Sequence, residues 1–149
     1  GGFEGIQLHP ADTGGSFFEM DQMKVDGAEN IDGPWWPAGS QWPDFSRTER
    51  LRAISAAELQ AVDPDRLAAR WAQIAQLELE NDPAGNPTIQ FENASIRFVE
   101  ATDGRGDGLG GIDVDCVDRD AVLAGAEQRN CVVNDEQVLL GGLRVYLRG

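Results

Sequence analysis

Few side chains in this sequence have the type and spacing to do chemistry. His9, the one histidine, stands before Pro10 in a turn-forming stretch. As a functional group it would ligate a metal or move a proton; as a structural one it would bond to nearby backbone. Glu19 alternates with Phe17, Phe18 and Met20, which leaves its carboxylate facing either a cleft or solvent. Asp113 and Asp115 lie two residues apart and share one face of a strand, as do Glu58 and Gln60. Facing a cleft, such oxygens would bind a cation or act as a base; otherwise they form the solvated face of an edge strand. Arg97 and Arg144 occupy matching places in two similar segments, suited to an anionic substrate or to a repeated ion pair. Tyr146 adds a phenol beside Arg144. Trp35, Trp36 and Trp42 would stack a ligand or pack segments together. Cys116 and Cys131 are too few for a disulfide framework and sit among apolar residues, and with one His they do not suffice for a Cys/His zinc cluster. The glycine-rich GRGDGLGG is no phosphate loop, because no Lys-Ser/Thr follows and it leads into a strand.

The elements that position these residues fall into three stretches. Residues 6–20 form two strand-like runs around Asp12–Thr13–Gly14–Gly15, a strong turn signal. Residues 26–46 are rich in Pro and Gly, carry three of the four tryptophans and have no apolar periodicity, so they read as an ordered connection. Beyond residue 46 the chain repeats. A strand from Leu51 to Val62 is followed by Asp63, a good N-cap, and Pro64, suited to the first helical position. Leu67, Trp71 and Ile74 then fall on one helical face. The second copy has a strand over Gly108–Asp118 and a helix opening at Arg119. Both strands end in Val-Asp-x-Asp, at Val62–Asp65 and Val117–Asp120, 55 residues apart. Two hairpin tails close the copies, with Arg97 matched to Arg144, 47 residues apart. Each copy thus reads βαβββ. Two copies can pair edges into one curved sheet with the helices outside and a cleft inside.

Composition bounds the partners. The chain has 149 residues, with 26 acidic against 12 basic side chains and a net charge of −14. Such a surface disfavours nucleic acid and anionic membrane as partners. No apolar run approaches the ~20 residues of a membrane span. The opening GGFEGIQLHP has neither a basic nor an apolar leader segment, so no signal peptide is expected, and a cytoplasmic setting follows.

Paired βαβββ modules of this size resemble the vicinal oxygen chelate superfamily, which includes glyoxalase I, methylmalonyl-CoA epimerase, extradiol dioxygenases and bleomycin-resistance proteins. IQLHPADTGGSFFEM (residues 6–20) resembles the closing hairpin of such a domain, and GPWWPAGSQW is similar to the segment that follows it in two-domain members. The resemblance implies an α+β fold of tandem βαβββ modules in a curved mixed sheet. It also implies three regions: 1–25 as the closing hairpin of a preceding glyoxalase-like domain, 26–46 as a Trp/Pro-rich connection, and 47–149 as the paired domain.

For function, the resemblance implies a metal-dependent small-molecule lyase, epimerase or dioxygenase in the intact protein. The different-class alternative is a non-catalytic small-molecule-binding or scaffolding module. Glu19 matches the family's carboxylate, as metal ligand and catalytic base. His9, Arg97, Arg144 and Tyr146 are the expected ligand-binding residues. The divalent metal (Zn, Ni, Mn or Fe) is expected only in the intact protein and not within 47–149, whose strands carry no His. A homodimer is expected, because the sheet partners of residues 6–20 would lie upstream of Gly1.

Overall fold

The computed structural model describes residues 2–30 and 32–149. The first elements are β1 (Phe3–Leu8), α1 (Pro10–Thr13) and β2 (Phe18–Met23), with β1 and β2 paired antiparallel. His9 caps α1: its Nδ1 accepts from the Ala11 N–H at 3.1 Å. Gly14, at φ 85°, ends that turn in the left-handed region that favours glycine. In the connection, a single 3₁₀ turn (Trp36–Ala38) precedes α2 (Trp42–Phe45). Trp35 sets its ring edge-on to Phe3 of β1, and Trp42 Nε1 donates to the Gly33 carbonyl. These two tryptophans pack segments together.

The repeat follows. The first copy is β3 (Leu51–Ala61), α3 (Pro64–Ala75), β4 (Glu80–Asn81), β5 (Pro87–Gln90) and β6 (Ser95–Glu100). The second is β7 (Gly108–Cys116), α4 (Arg119–Glu127), β8 (Val132–Asn134), β9 (Gln137–Leu140) and β10 (Leu143–Arg148). All eight strands make one sheet in the order β4-β5-β6-β3-β7-β10-β9-β8. Each opening strand runs parallel to its own closing strand, β3 with β6 and β7 with β10. The copies join where β3 meets β7 antiparallel. Opening strands are therefore central, and their polar residues do not form the solvated face of an edge.

Asp63 and Asp118 cap α3 and α4 identically. Each side chain accepts a backbone N–H three residues on, at 3.0 Å, from nearly the same backbone angles. The same 55-residue offset places Asp113 over Glu58. The match of Arg97 to Arg144 needs correction, however. In the parallel ladders Arg97 lies beside Glu58, and Tyr146, not Arg144, lies beside Asp113. Pairing with the opening strand sets the register, and a lone Arg in each tail gave no anchor for it; Arg144 stands two residues short of the true equivalent.

Strand alternation divides the sheet's two faces. Toward the helices, Leu59, Ala61, Ile89 and Phe98 pack on Leu67, Ala68 and Trp71 of α3. Phe18 of the hairpin joins this core, its ring 4.7 Å from that of Trp71, and Trp71 Nε1 donates to the Thr13 carbonyl at 2.8 Å. A second core forms under α4 from Val114, Ala126, Val138, Val145 and Leu147. No helix among the described residues is long and apolar enough to cross a membrane.

Candidate functional site

The face turned away from the helices is polar at its centre. Glu58 is only 4% exposed. Its Oε2 accepts from Arg97 Nε at 2.8 Å, and its Oε1 accepts from Arg144 Nε at 2.8 Å and from the Tyr146 hydroxyl at 3.2 Å. Asp113, 8% exposed, accepts from Arg148 Nε through Oδ2 at 2.7 Å. Its Oδ1 is 2.7 Å from Arg97 Nη1, an ion-pair contact outside hydrogen-bond geometry. The contacts cross between modules: the first module's Glu58 holds the second's Arg144 and Tyr146, while Arg97 reaches Asp113.

Around this centre, Arg144 also donates to Gln60 Oε1 at 2.8 Å and to Asp103 Oδ2 at 2.7 Å, and Arg105 joins Asp103 from the loop between the modules. The Arg97 and Arg148 guanidiniums lie 4.8 and 5.2 Å from the Tyr146 ring centroid, within cation–π range. Gly110 makes room for the Arg144 side chain, and Gly111 for the Arg144 backbone and the Glu58 and Tyr146 side chains. A Cβ on Gly110 would strike the Arg144 guanidinium, and one on Gly111 would meet the Arg144 carbonyl at 2.8 Å.

Electrostatics favour one charge form for four groups of the network. Burial disfavours the Arg97 cation, but Asp113 and Glu58 outweigh it and hold the guanidinium charged. The same contest, won by Glu58, keeps Arg144 charged. Burial, reinforced by the Glu58 carboxylate, pushes the Tyr146 phenol up. Arg105, with help from Gln60, holds the Asp103 carboxyl well below the usual carboxylate range.

Over one side of the network stands the β4–β5 turn, Asp82–Asn86. Burial disfavours the Asp82 carboxylate, yet its bonds from Asn86 and Ala84 outweigh that and lower its pKa. Turn and sheet enclose a cavity of about 370 Å³, lined also by Ala56, Thr88, Ser95, Arg97, Tyr146 and Arg148. A larger hollow of about 630 Å³ beside Trp35 and β2 gathers no such network.

Within each module the opening strand lies beside the parallel closing strand, and the two opening strands meet at the middle of the curved sheet. That arrangement decides the fold. It is the glyoxalase-like fold. No family model and no curated protein matches the chain. Solved structures similar to it include a methylmalonyl-CoA epimerase from Mycobacterium tuberculosis, at 12% identity over 70% of this chain and 93% of that one, with a TM-score of 0.49. A hypothetical protein from Bacillus halodurans gives 12% identity, 65% and 94% coverage and a TM-score of 0.47. The Streptomyces coelicolor methylmalonyl-CoA epimerase gives 12%, 66% and 99%, and 0.43.

In this glyoxalase-like cleft the structure brings together three of the expected site residues, Arg97, Arg144 and Tyr146. It does not bring His9 or Glu19 there. His9 is occupied as a helix cap. Glu19 is exposed on β2, its amide partner Gln7 3.4 Å away, beside an apolar hollow lined by Phe17, Trp71 and Ile96. Ile96 points to the helix side of β6 and Arg97 to the other, so Glu19 and the network are separated by the sheet. No group of three or more His, Cys, Asp or Glu side chains placed to hold a metal occurs among the described residues. The carboxylates at the centre do not fit a divalent ion either, since each is already ion-paired to two guanidiniums. Sequence reading missed Arg148, Asp103 and Arg105. The signal for a crowded floor was the Gly110–Gly111 pair inside a strand, where glycine marks close approach.

Proposed function

We propose that this chain is a non-catalytic small-molecule-binding module whose cleft works without a metal. One observation carries the reading: the positions where opening and closing strands converge hold Glu58, Asp113, Arg97 and Tyr146, locked into one ion-paired network. A metal-dependent lyase, epimerase or dioxygenase needs carboxylate or imidazole lone pairs free for the ion. Here those of Glu58 and Asp113 face arginines, and three guanidiniums would repel a cation at the same place. The adjoining cavity has the size and convergent polar groups of a small-ligand site.

Metal loading tests this. The purified chain is incubated with Zn²⁺, Ni²⁺, Mn²⁺ or Fe²⁺, desalted and submitted to elemental analysis. The expected content is far below one ion per chain. About one ion per chain, lost in Glu58→Ala or Asp113→Ala, would overturn the reading in favour of the metal-dependent enzyme.

A further inference from the structure

The charged groups lining the cavity differ in what they have left to give. Glu58 accepts on both oxygens, and Asp113 is held by Arg148 through one oxygen and in ion-pair contact with Arg97 through the other. Asp82, at the rim, is spent on its own turn. The guanidiniums are not spent. Arg148 uses only Nε within the network; among the described residues its Nη1 and Nη2 have no hydrogen-bond partner, and its side chain is 44% exposed at the cavity. Arg97 Nη2 is buried with no partner. Of the charged side chains that line the cavity, Arg97 and Arg148 face Glu58, Asp82 and Asp113, so the open donors, and not an excess of positive charge, set the chemistry of the ligand. Asp113 Oδ1 also lacks a hydrogen bond but is buried against Arg97, so the accessible open groups are the terminal nitrogens of Arg148, which select a ligand that supplies acceptors, a charged acceptor bonding most strongly. A guanidinium with both terminal nitrogens open matches a carboxylate in two parallel hydrogen bonds.

Resting on the small-molecule-binding reading, we infer that the cavity takes a small organic carboxylate, gripped by the Arg148 fork with its body beside the Tyr146 ring. The cavity's 370 Å³ and its Ala56 and Tyr146 walls suit a compact acid with an apolar or aromatic body.

Tyr146 is the only tyrosine in the chain, so 3-fluorotyrosine labelling places a single ¹⁹F nucleus in the cavity wall. The labelled full chain is titrated with acetate, succinate and benzoate, with acetamide, succinamide and benzamide as their uncharged counterparts, and with inorganic phosphate and Zn²⁺. At least one carboxylate is expected to shift the resonance saturably, with its amide and phosphate at least tenfold weaker. Arg148→Gln should weaken that carboxylate at least tenfold. Arg148→Lys, which keeps the charge and loses the fork, should weaken it severalfold and serves as the test should Arg148→Gln not fold.

No saturable shift with any carboxylate overturns the inference. So does equal binding of acid and amide, tighter binding of phosphate, or an affinity unchanged by both Arg148 substitutions. A shift that saturates at one equivalent of Zn²⁺ instead overturns the metal-free reading beneath it, a result the carboxylate–amide comparison cannot produce.

Discussion

Glu58 is the residue on which the cleft depends most. A nearly buried carboxylate facing two guanidiniums and a phenol is costly to desolvate, and its value shows when it is removed. Glu58→Gln leaves Arg97 and Arg144 short of countercharge in a largely buried site and is expected to destabilise the fold by about 3–5 kcal/mol, read by urea denaturation. Tyr146 reports on the same carboxylate. Burial and Glu58 both favour its neutral form, so the phenolate absorbance of this single tyrosine should rise with a midpoint above pH 10. A midpoint at or below 10 would show that the phenol is solvated and turned away from Glu58. The sequence displayed these side chains without showing their company. Glu58 and Asp113 were visible as paired polar positions in strands, but whether such a face meets solvent or arginines is decided by which strands lie at the centre. Arg97 and Arg144 stood out as a pair, and the two-residue period of a strand kept both on the right face even though their register was two residues off. His9 drew notice as the one histidine, set before a proline in a turn, and Glu19 by its alternation with apolar residues and its match to the family's carboxylate; geometry gives them a cap and an exposed strand position.

At the scale of elements, the repeat was legible because its signals are local. Asp63–Pro64 and Asp118 announce helix starts whose geometry depends on three or four neighbouring residues. Asp63→Ala and Asp118→Ala should each cost about 1 kcal/mol, and near-equal losses in thermal melts would confirm that the two caps are structural equivalents. Strand order was less legible, since it depends on pairings between residues 33 to 65 positions apart. The opening strand β7 shows the difference: its glycines mark a close approach, but not of what. With Arg144 crossing that floor, Gly111→Ala forces a Cβ against a backbone carbonyl, a displacement expected to cost about 1–3 kcal/mol. A neutral result in the same melts would mean that β10 can slide away from β7 and that the cleft floor is not rigid.

At the scale of the whole molecule, charge opposes compactness while the cleft network supports it. A net charge of −14 on 149 residues repels itself through solvent, where salt screens it, and the buried ion pairs are screened far less. Raising NaCl from about 10 to 200 mM should therefore raise the melting temperature; a fall would mean that exposed attractive pairs dominate. Acid acts in the opposite direction. Asp103 and Asp82 have lowered folded-state pKa values, so their stabilisation is present above the unfolded carboxylate value of about 3.9 and is lost as pH falls below it. Melting temperatures should hold steady near neutrality and drop below about pH 4. The sheet's ends add a consequence for behaviour at high concentration. It stops on one side at β4, two residues long, and on the other at β8, three residues long. Edges this short offer an incoming strand little to template on, so the large sheet is guarded against growing from one molecule into the next. The longer exposed edges belong to the β1–β2 hairpin, whose Glu4, Glu19, Asp21 and Lys24 place charges there, and fibril formation, where it occurs at all, should begin in the hairpin.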